Sequence, residues 1–378
     1  MTTLANDLGA INLGQGMPDF DGPELLRTAA AAAMAAGHNQ YAPSAGHPEL
    51  RAAVAAHVAG WGLDYGDDEV TVTAGATEAL AAAMFALLRP GDEVIVIEPF
   101  YDSYPAIVAM AGATMVPVAL SRTATGPRLE AAPLAAAVGP RTRVVLMNTP
   151  HNPTGRVLDL VELGHVARLA VAHDLVVVTD EVYGDLWYER PHRSLATLPG
   201  MRGRTVVCSS ASKSLSICGW RVGWALAPPA LSAALRVTHR FATYCAAVPL
   251  QLAVAAALRE CDRDGYFDRL RDDYRERRDV LVEALSDVGL EPTPAEGATF
   301  VLADTTGWRE DEPLEVARWL ARSAGVAALP LTSFCSGPGP AQGLLRFAFC
   351  KDLTMLREAG SRLRAHPAAH GHRRRRPA

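Results

Sequence analysis

From residue 70 onward the chain alternates between short β-branched runs and longer helical stretches. The runs at 70–73 (VTVT), 94–97 (VIVI), 115–118 (MVPV), 144–147 (VVLM), 175–179 (LVVVT) and 205–208 (TVVC) are almost continuously apolar. That is the pattern of strands covered on both faces, where no side of the strand meets water. Helical segments of about 10–15 residues separate most of them, so the spacing predicts βα repeats and a largely parallel sheet. Ahead of these repeats, LLRTAAAAAMAAGH (25–38) predicts a helix that stops at Gly37, because alanine favours the helix and glycine ends it. LRAAVAAHV predicts a second helix. Beyond residue 262 the composition shifts. DRDGYFDRLRDDYRERRDVLVEALSDVG reads as one long charged helix with apolar residues at helical spacing. ATFVLAD and LLRFAFC read as strands beside the helices PLEVARWLARSAG and LTMLREAGSRL. This is a compact α+β unit, with no internal repeat and no disordered linker before it.

Composition narrows the function classes. At 378 residues the chain exceeds one ordinary core of about 100–200 residues, so one large and one smaller domain are expected. A net charge of −5 with no basic stripe argues against nucleic acid or a membrane surface as main partner. The one charge run, Arg373–Arg376 in HGHRRRRPA, reads as a solvated, disordered tail. Six cysteines without a C-x-x-C pair form neither a metal framework nor a disulfide scaffold, which suits a reducing cytoplasm. No signal peptide is apparent at the N-terminus, and the longest apolar runs fall short of the roughly 20 residues that span a bilayer.

In an open α/β sheet, ligands bind beyond the carboxyl ends of the strands. Gly75, Ala76 and Thr77 follow the first run and open a helix, a place where backbone amides accept an anion such as phosphate. Tyr101 follows the second run in EPFYDSY, and Asn152 follows the fourth in NTPHNPTG. Asp180 and Tyr183 follow the fifth in DEVYGDLWY. The sixth leads into SSASKSLSICGWRVGW, which holds Ser210, Lys213 and Arg221. Taken singly, each has a plain structural explanation as turn chemistry or a helix cap.

Lys213 does not fit that plain reading. Of 36 Lys plus Arg, only Lys213 and Lys351 are lysine. A lysine retained in so arginine-biased a chain points to a reversible amine nucleophile, which a guanidinium cannot supply. Pyridoxal phosphate requires such an amine, a carboxylate for its ring nitrogen, a phosphate cup and an aromatic ring to stack on. Lys351, in FCKDL, reads as a surface cation. The rival reading, Ser210-Ala-Ser-Lys213 as the S-x-x-K of serine acyl-enzymes, lacks the accompanying S-D-N and K-T-G.

These motifs, with INLGQGMPDFDGPELL, NQYAPSAGHPELRAAV, TPHNPTG, DEVY and LLRFAFC, resemble the class I aminotransferases of fold type I over about residues 11–363. Within it, the resemblance is to the branch of methionine, kynurenine and N-succinyldiaminopimelate aminotransferases. It implies a mostly parallel seven-stranded sheet with helices on both faces plus a smaller α+β domain. The large domain would span 38–262, the small domain 1–37 and 263–365, and the tail 366–378. It implies pyridoxal phosphate on Lys213, with Asp180 at the ring nitrogen, Tyr183 and Asn152 at the ring hydroxyl, and Tyr101 stacked on the ring. Ala76, Thr77, Ser210 and Arg221 would hold the phosphate. Tyr41 would reach the phosphate of a second subunit in a homodimer with shared sites. Arg346 would grip the substrate carboxylate beside Asn152 and Gly16, and no metal is implied. Family members usually carry a longer arm where only ten residues precede Ile11 here, and some have tyrosine where this chain has Thr77. Ile11, Met17, Tyr41 from the partner and 241–249 are the expected pocket walls, mostly apolar. They suit methionine, aromatic or glutamine-like donors. Arg240 and Arg156 are the candidate handles for an N-succinyldiaminopimelate donor. A donor used in natural-product synthesis, a C–S β-lyase and a cofactor-binding regulator are the alternatives.

Overall fold

The computed structural model describes residues 1–123, 126–306, 308, 312–337 and 341–366; Arg373–Arg376 lie outside the described residues. All six apolar runs form strands of one sheet. Its order is Val70–Thr73, Gly223–Leu226, Thr205–Ser210, Val176–Asp180, Thr142–Asn148, Glu93–Glu98, Thr114–Ala119. Neighbours run parallel except at Gly223–Leu226, which is antiparallel to both strands beside it. This seventh strand is only GWAL, too short to stand out as an apolar run.

The near-continuous apolarity of the strands has the expected cause. Val94, Val96, Val144 and Leu146 point to one face and pack with Leu80 and Met84 of helix Ala76–Leu87. Ile95, Ile97, Val145 and Met147 point to the other and pack with Leu163 and Val166 of helix Leu160–Ala172. Side chains alternate along a strand, so covering both faces requires apolar residues at every position.

A second, antiparallel sheet joins Glu291–Thr293, Phe300–Asp304, Leu344–Ala348 and Leu329–Pro330. The long charged segment before it is two helices rather than one. Gly265, left-handed at φ 72°, ends Val248–Asp264 and starts Tyr266–Asp287; a residue without Cβ turns there at little cost. The first residues form helix Thr2–Leu8, whose Ala5 packs on Ala321 and Ala327. Strand Ile11–Asn12 then pairs with Val326–Ala327. Residues 13–19 run on toward the carboxyl edge of the large sheet. One buried cluster includes Val70 and Trp224 of that sheet with Phe300, Leu345 and Phe347 of the second. The two sheets therefore share a core, and the crevice between them is held from both sides.

Candidate active site

Three adjacent strands of the large sheet end on polar side chains: Asn148, Asp180 and Ser210. Asn148 and Asp180 are register partners. Buried Asp180 accepts from the Tyr104 phenol at 2.7 Å through Oδ2, and from the Val182 amide at 3.3 Å through Oδ1. Burial disfavours its charge and lifts its pKa to about 6, against the pull of those two bonds and of Lys213.

An anion cradle lies at one end of this row. Gly75 sits at φ 85° and opens helix Ala76–Leu87, whose first amides have no acceptor within the helix. A Cβ on Gly75 would collide with the Arg221 guanidinium, and one on Gly223 with the backbone of Gly75 and Ala76. Only glycine lets these pieces meet. Arg221 is itself left-handed at φ 54°, with Nη1 donating to the Cys218 carbonyl at 3.1 Å. Ser210 caps the short helix Ala211–Ser214 through its hydroxyl. Amides at a helix start, a hydroxyl and a guanidinium converge, which is the donor set a phosphate needs.

Lys213 stands between this cradle and the second sheet. Its Nζ donates to the Gly16 carbonyl at 2.8 Å and lies 3.7 Å from Cys218 Sγ. Burial opposes its charge, but Tyr183, Cys218, Cys350 and Tyr101 outweigh it and hold the ammonium above the ordinary lysine value. Burial pushes the Tyr183 phenol up to about 12, with Lys213 and Arg346 pulling the other way. At neutral pH Tyr183 is therefore a neutral phenol.

At the far end, Arg346 is buried with its guanidinium carbon 4.0 Å from the Phe300 ring centroid and 4.4 Å from that of Phe334. The two rings fix the plane of the fork. Nη1 donates to Asn152 Oδ1 and Nη2 to the Gly14 carbonyl, both at 2.7 Å. Nε is buried without a partner. Burial lowers the Arg346 pKa to about 10. A hydrogen-bonded line connects the two ends: Asn148 Nδ2 donates to the Asp180 carbonyl, and Asn148 Oδ1 accepts from the Asn152 amide, each at 2.6 Å. Asn152 then accepts from Arg346.

One cavity of about 430 Å³ joins all of this. Gly16, Ala76, Thr77, Tyr101, Asn152, Asp180, Tyr183, Ser210, Lys213, Arg221 and Arg346 all line it. The sequence matches the model of aminotransferase classes I and II over residues 9–363. The chain belongs to that family. Its relatives include the probable N-succinyldiaminopimelate aminotransferase of Mycobacterium tuberculosis, 44% identical, with 96% of this chain and 94% of that one covered. The methionine aminotransferase of Escherichia coli is 40% identical with the same coverage. The solved structure of the M. tuberculosis N-succinyldiaminopimelate aminotransferase superposes with a TM-score of 0.93, covering 96% of this chain and 95% of that one. The mouse kynurenine–oxoglutarate transaminase 3 is 34% identical, with 96% of this chain and 86% of that one covered.

Several expectations for this aminotransferase are corrected by the structure. Lys351 is not a surface cation; it is buried, and its Nζ donates to the Met17 carbonyl at 2.7 Å. Arg156 is no substrate handle, since it is buried in ion pairs with Glu162 at 2.6 Å and Glu296 at 2.9 Å. Arg240 is exposed and outside the cavity lining. Ile11 is engaged with Val326 and does not line the cavity, although Met17 does. Segment 241–249 does not line the cavity of its own chain. Tyr41, expected at a partner's site, is 81% exposed and packs edge-on to Tyr244, so that expectation stands as it was. Tyr104 and Asn148 were not anticipated. Tyr104 lies within the EPFYDSY motif, and Asn148 directly precedes TPHNPTG, so both were within view.

Proposed function

We propose that this aminotransferase moves an amino group between an L-amino acid with a neutral side chain and a 2-oxo acid, with pyridoxal phosphate held at Lys213. The observation that carries the reading is the single cavity with a primary amine at its centre, an anion cradle at one end and a guanidinium fork at the other. The residues fit the cofactor. The glycine-lined cradle and Arg221 suit its phosphate, Asp180 its ring nitrogen, Tyr183 and Asn152 its ring hydroxyl, and Tyr101 its face. Bound pyridoxal phosphate supplies an aldehyde that condenses with a primary amine and a cationic ring that withdraws electrons from the amino acid's α-carbon.

The chain's own residues do the rest. Arg346 receives the substrate carboxylate as a two-pronged donor, with Asn152 already oriented beside it. That fixes the α-hydrogen with respect to Lys213. Lys213 Nζ, an ammonium in the cofactor-free protein, would have to be released from the cofactor as the free amine to take the α-proton and later return it. The neutral Tyr183 phenol would hold the ring hydroxyl and the Asp180 carboxylate the ring nitrogen. The cavity's cations are Lys213, Arg221 and Arg346, and each has a task in this scheme. Among the described residues of this chain none is left to hold a distal carboxylate, while Met17, Phe300, Leu329 and Phe334 offer apolar contact. This supports methionine, aromatic or glutamine-like donors. The 44% identity to the M. tuberculosis protein supports N-succinyldiaminopimelate as the second reading.

The scheme extends to a homodimer. Tyr41 is exposed and packs edge-on to Tyr244, and Phe241 and Val237 are exposed on the helix Pro229–Ala242 that precedes Tyr244; a second copy would cover these side chains and take Tyr41 to its own phosphate site. Its six free thiols suit the cytoplasm. Among the described residues no helix is long and apolar enough to cross a membrane.

The test is visible absorption of the purified protein loaded with pyridoxal phosphate and titrated with single amino acids. One neutral donor is expected to convert the band, and Lys213→Ala to lose both band and turnover. Wild-type turnover in that variant overturns the assignment, and conversion by N-succinyldiaminopimelate alone selects the second reading.

A further inference from the structure

Residues 13–19 follow the strand Ile11–Asn12, line the cavity with Gln15, Gly16 and Met17, and turn their oxygens two ways. On one side the acceptors are Leu13, Gln15, Met17 and Asp19. The Ala348 amide donates to the Leu13 carbonyl at 2.6 Å, and Cys350 Sγ lies 4.0 Å from the Gln15 carbonyl. Lys351 Nζ donates to the Met17 carbonyl at 2.7 Å, and the Asp352 amide to Asp19 Oδ1 at 2.8 Å. On the other side are the even-numbered carbonyls. Gly14 accepts from Arg346 at 2.7 Å and Gly16 from Lys213 at 2.8 Å.

The two sides differ in permanence. Lys213 and Arg346 are the groups that ligands claim in the scheme above, so the Gly14 and Gly16 attachments are exchanged when the site fills. The attachments to 348–352 touch no ligand group. Among them Lys351 supplies the only charged donor, and hydrogen bonds from charged groups are roughly twice as strong as neutral ones. We propose that Lys351 is a positioning residue that keeps the Gly14–Asp19 strap seated over the cavity once Lys213 and Arg346 have turned to ligand. Its being lysine follows from the space: a compact ammonium on a thin stem reaches a single buried carbonyl, where a planar fork would need room for five donors. Both lysines of the chain thus end on consecutive carbonyls, Gly16 and Met17. Because Gln15, Gly16 and Met17 line the cavity, a loose strap weakens substrate binding more than the chemical step.

The inference rests on the aminotransferase reading of the cavity, but its main test does not require turnover. Hydrogen exchange of the peptide covering 13–19 is measured in the wild-type protein, free and loaded with pyridoxal phosphate plus an amino acid, and in Lys351→Met. Slow exchange in the loaded wild type is expected, with exchange about tenfold faster in loaded Lys351→Met. The variant's KM for the amino acid rises about tenfold while kcat stays within about twofold, and the cofactor band is unchanged. Fast exchange in the loaded wild type overturns the proposal, whether or not the variant folds. So does unchanged exchange in Lys351→Met. Failure of the aminotransferase reading would instead appear as absent cofactor absorption in the wild type.

Discussion

The phenol of Tyr104 donates to Asp180 at 2.7 Å, and both side chains are buried. A buried carboxylate is costly unless something hydrogen-bonds it, and here a neutral donor does so without neutralising the charge. Tyr104 thereby keeps Asp180 available as an anion for a cationic ring nitrogen. Removing the hydroxyl in Tyr104→Phe is expected to raise the Asp180 pKa further. A hydrogen bond to a charged group contributes about 1.5–3 kcal/mol, so kcat/KM should fall by about ten- to a hundredfold. Steady-state kinetics across pH check this, and unchanged kinetics would remove Tyr104 from the scheme.

The Asp180 pKa of about 6 also sets a pH dependence for the cofactor-free protein. The folded value lies above the unfolded one. The protonated form's contribution to stability is therefore present below about pH 4 and lost as pH rises through about 6. A cation placed opposite the carboxylate reverses this. Pyridoxal phosphate should raise Tm more at about pH 7.5 than at about pH 5. In Asp180→Asn the difference between those two pH values should shrink. Thermal melts of the free and loaded protein decide it.

Arg346 presents two nitrogens to Asn152 and Gly14 from between two rings, with Nε unpartnered. In Arg346→Lys the fork is lost while the charge is kept. The KM for the amino acid should rise by about a hundredfold, with cofactor absorption retained. An unaltered KM in the variant would place the carboxylate elsewhere.

His57 lies between two carboxylates, 2.8 Å from Asp262 and 3.2 Å from Asp185. Burial works to discharge it, but the two acids prevail and raise its pKa to about 10. Its stabilising contribution is then complete below about pH 6.5 and is lost as pH rises through about 10. Asp185 also accepts from Trp61 and from Ser214, the neighbour of Lys213. The wild-type Tm should therefore fall across that interval. His57→Gln should melt lower at neutral pH and vary less between about pH 6.5 and 10, because its side chain does not titrate. Parallel melting curves for the two proteins would contradict the pairing.

The βα alternation was legible because strands covered on both faces write themselves as unbroken apolar runs, as at Val94–Ile97 and Val144–Met147. The four residues of Gly223–Leu226 carried no such run, and the break at Gly265 was hidden by helical spacing on both sides. The chemistry was legible where a residue type has no substitute. An amine nucleophile must be lysine, and Lys213 stands out in an arginine-rich chain.

Partnership was a different matter. Lys351 and Arg156 look alike in the sequence, two cations near motifs, yet one is spent on a carbonyl 334 residues away and the other on two glutamates, Glu162 and Glu296. Tyr104 reaches Asp180 across 76 residues. Periodicity and motif spacing record only what is near along the chain, so they specified the elements and the reactive groups. Which donor meets which acceptor depended on two sheets closing over a common core, and only that packing turned a second lysine into the anchor of a strap.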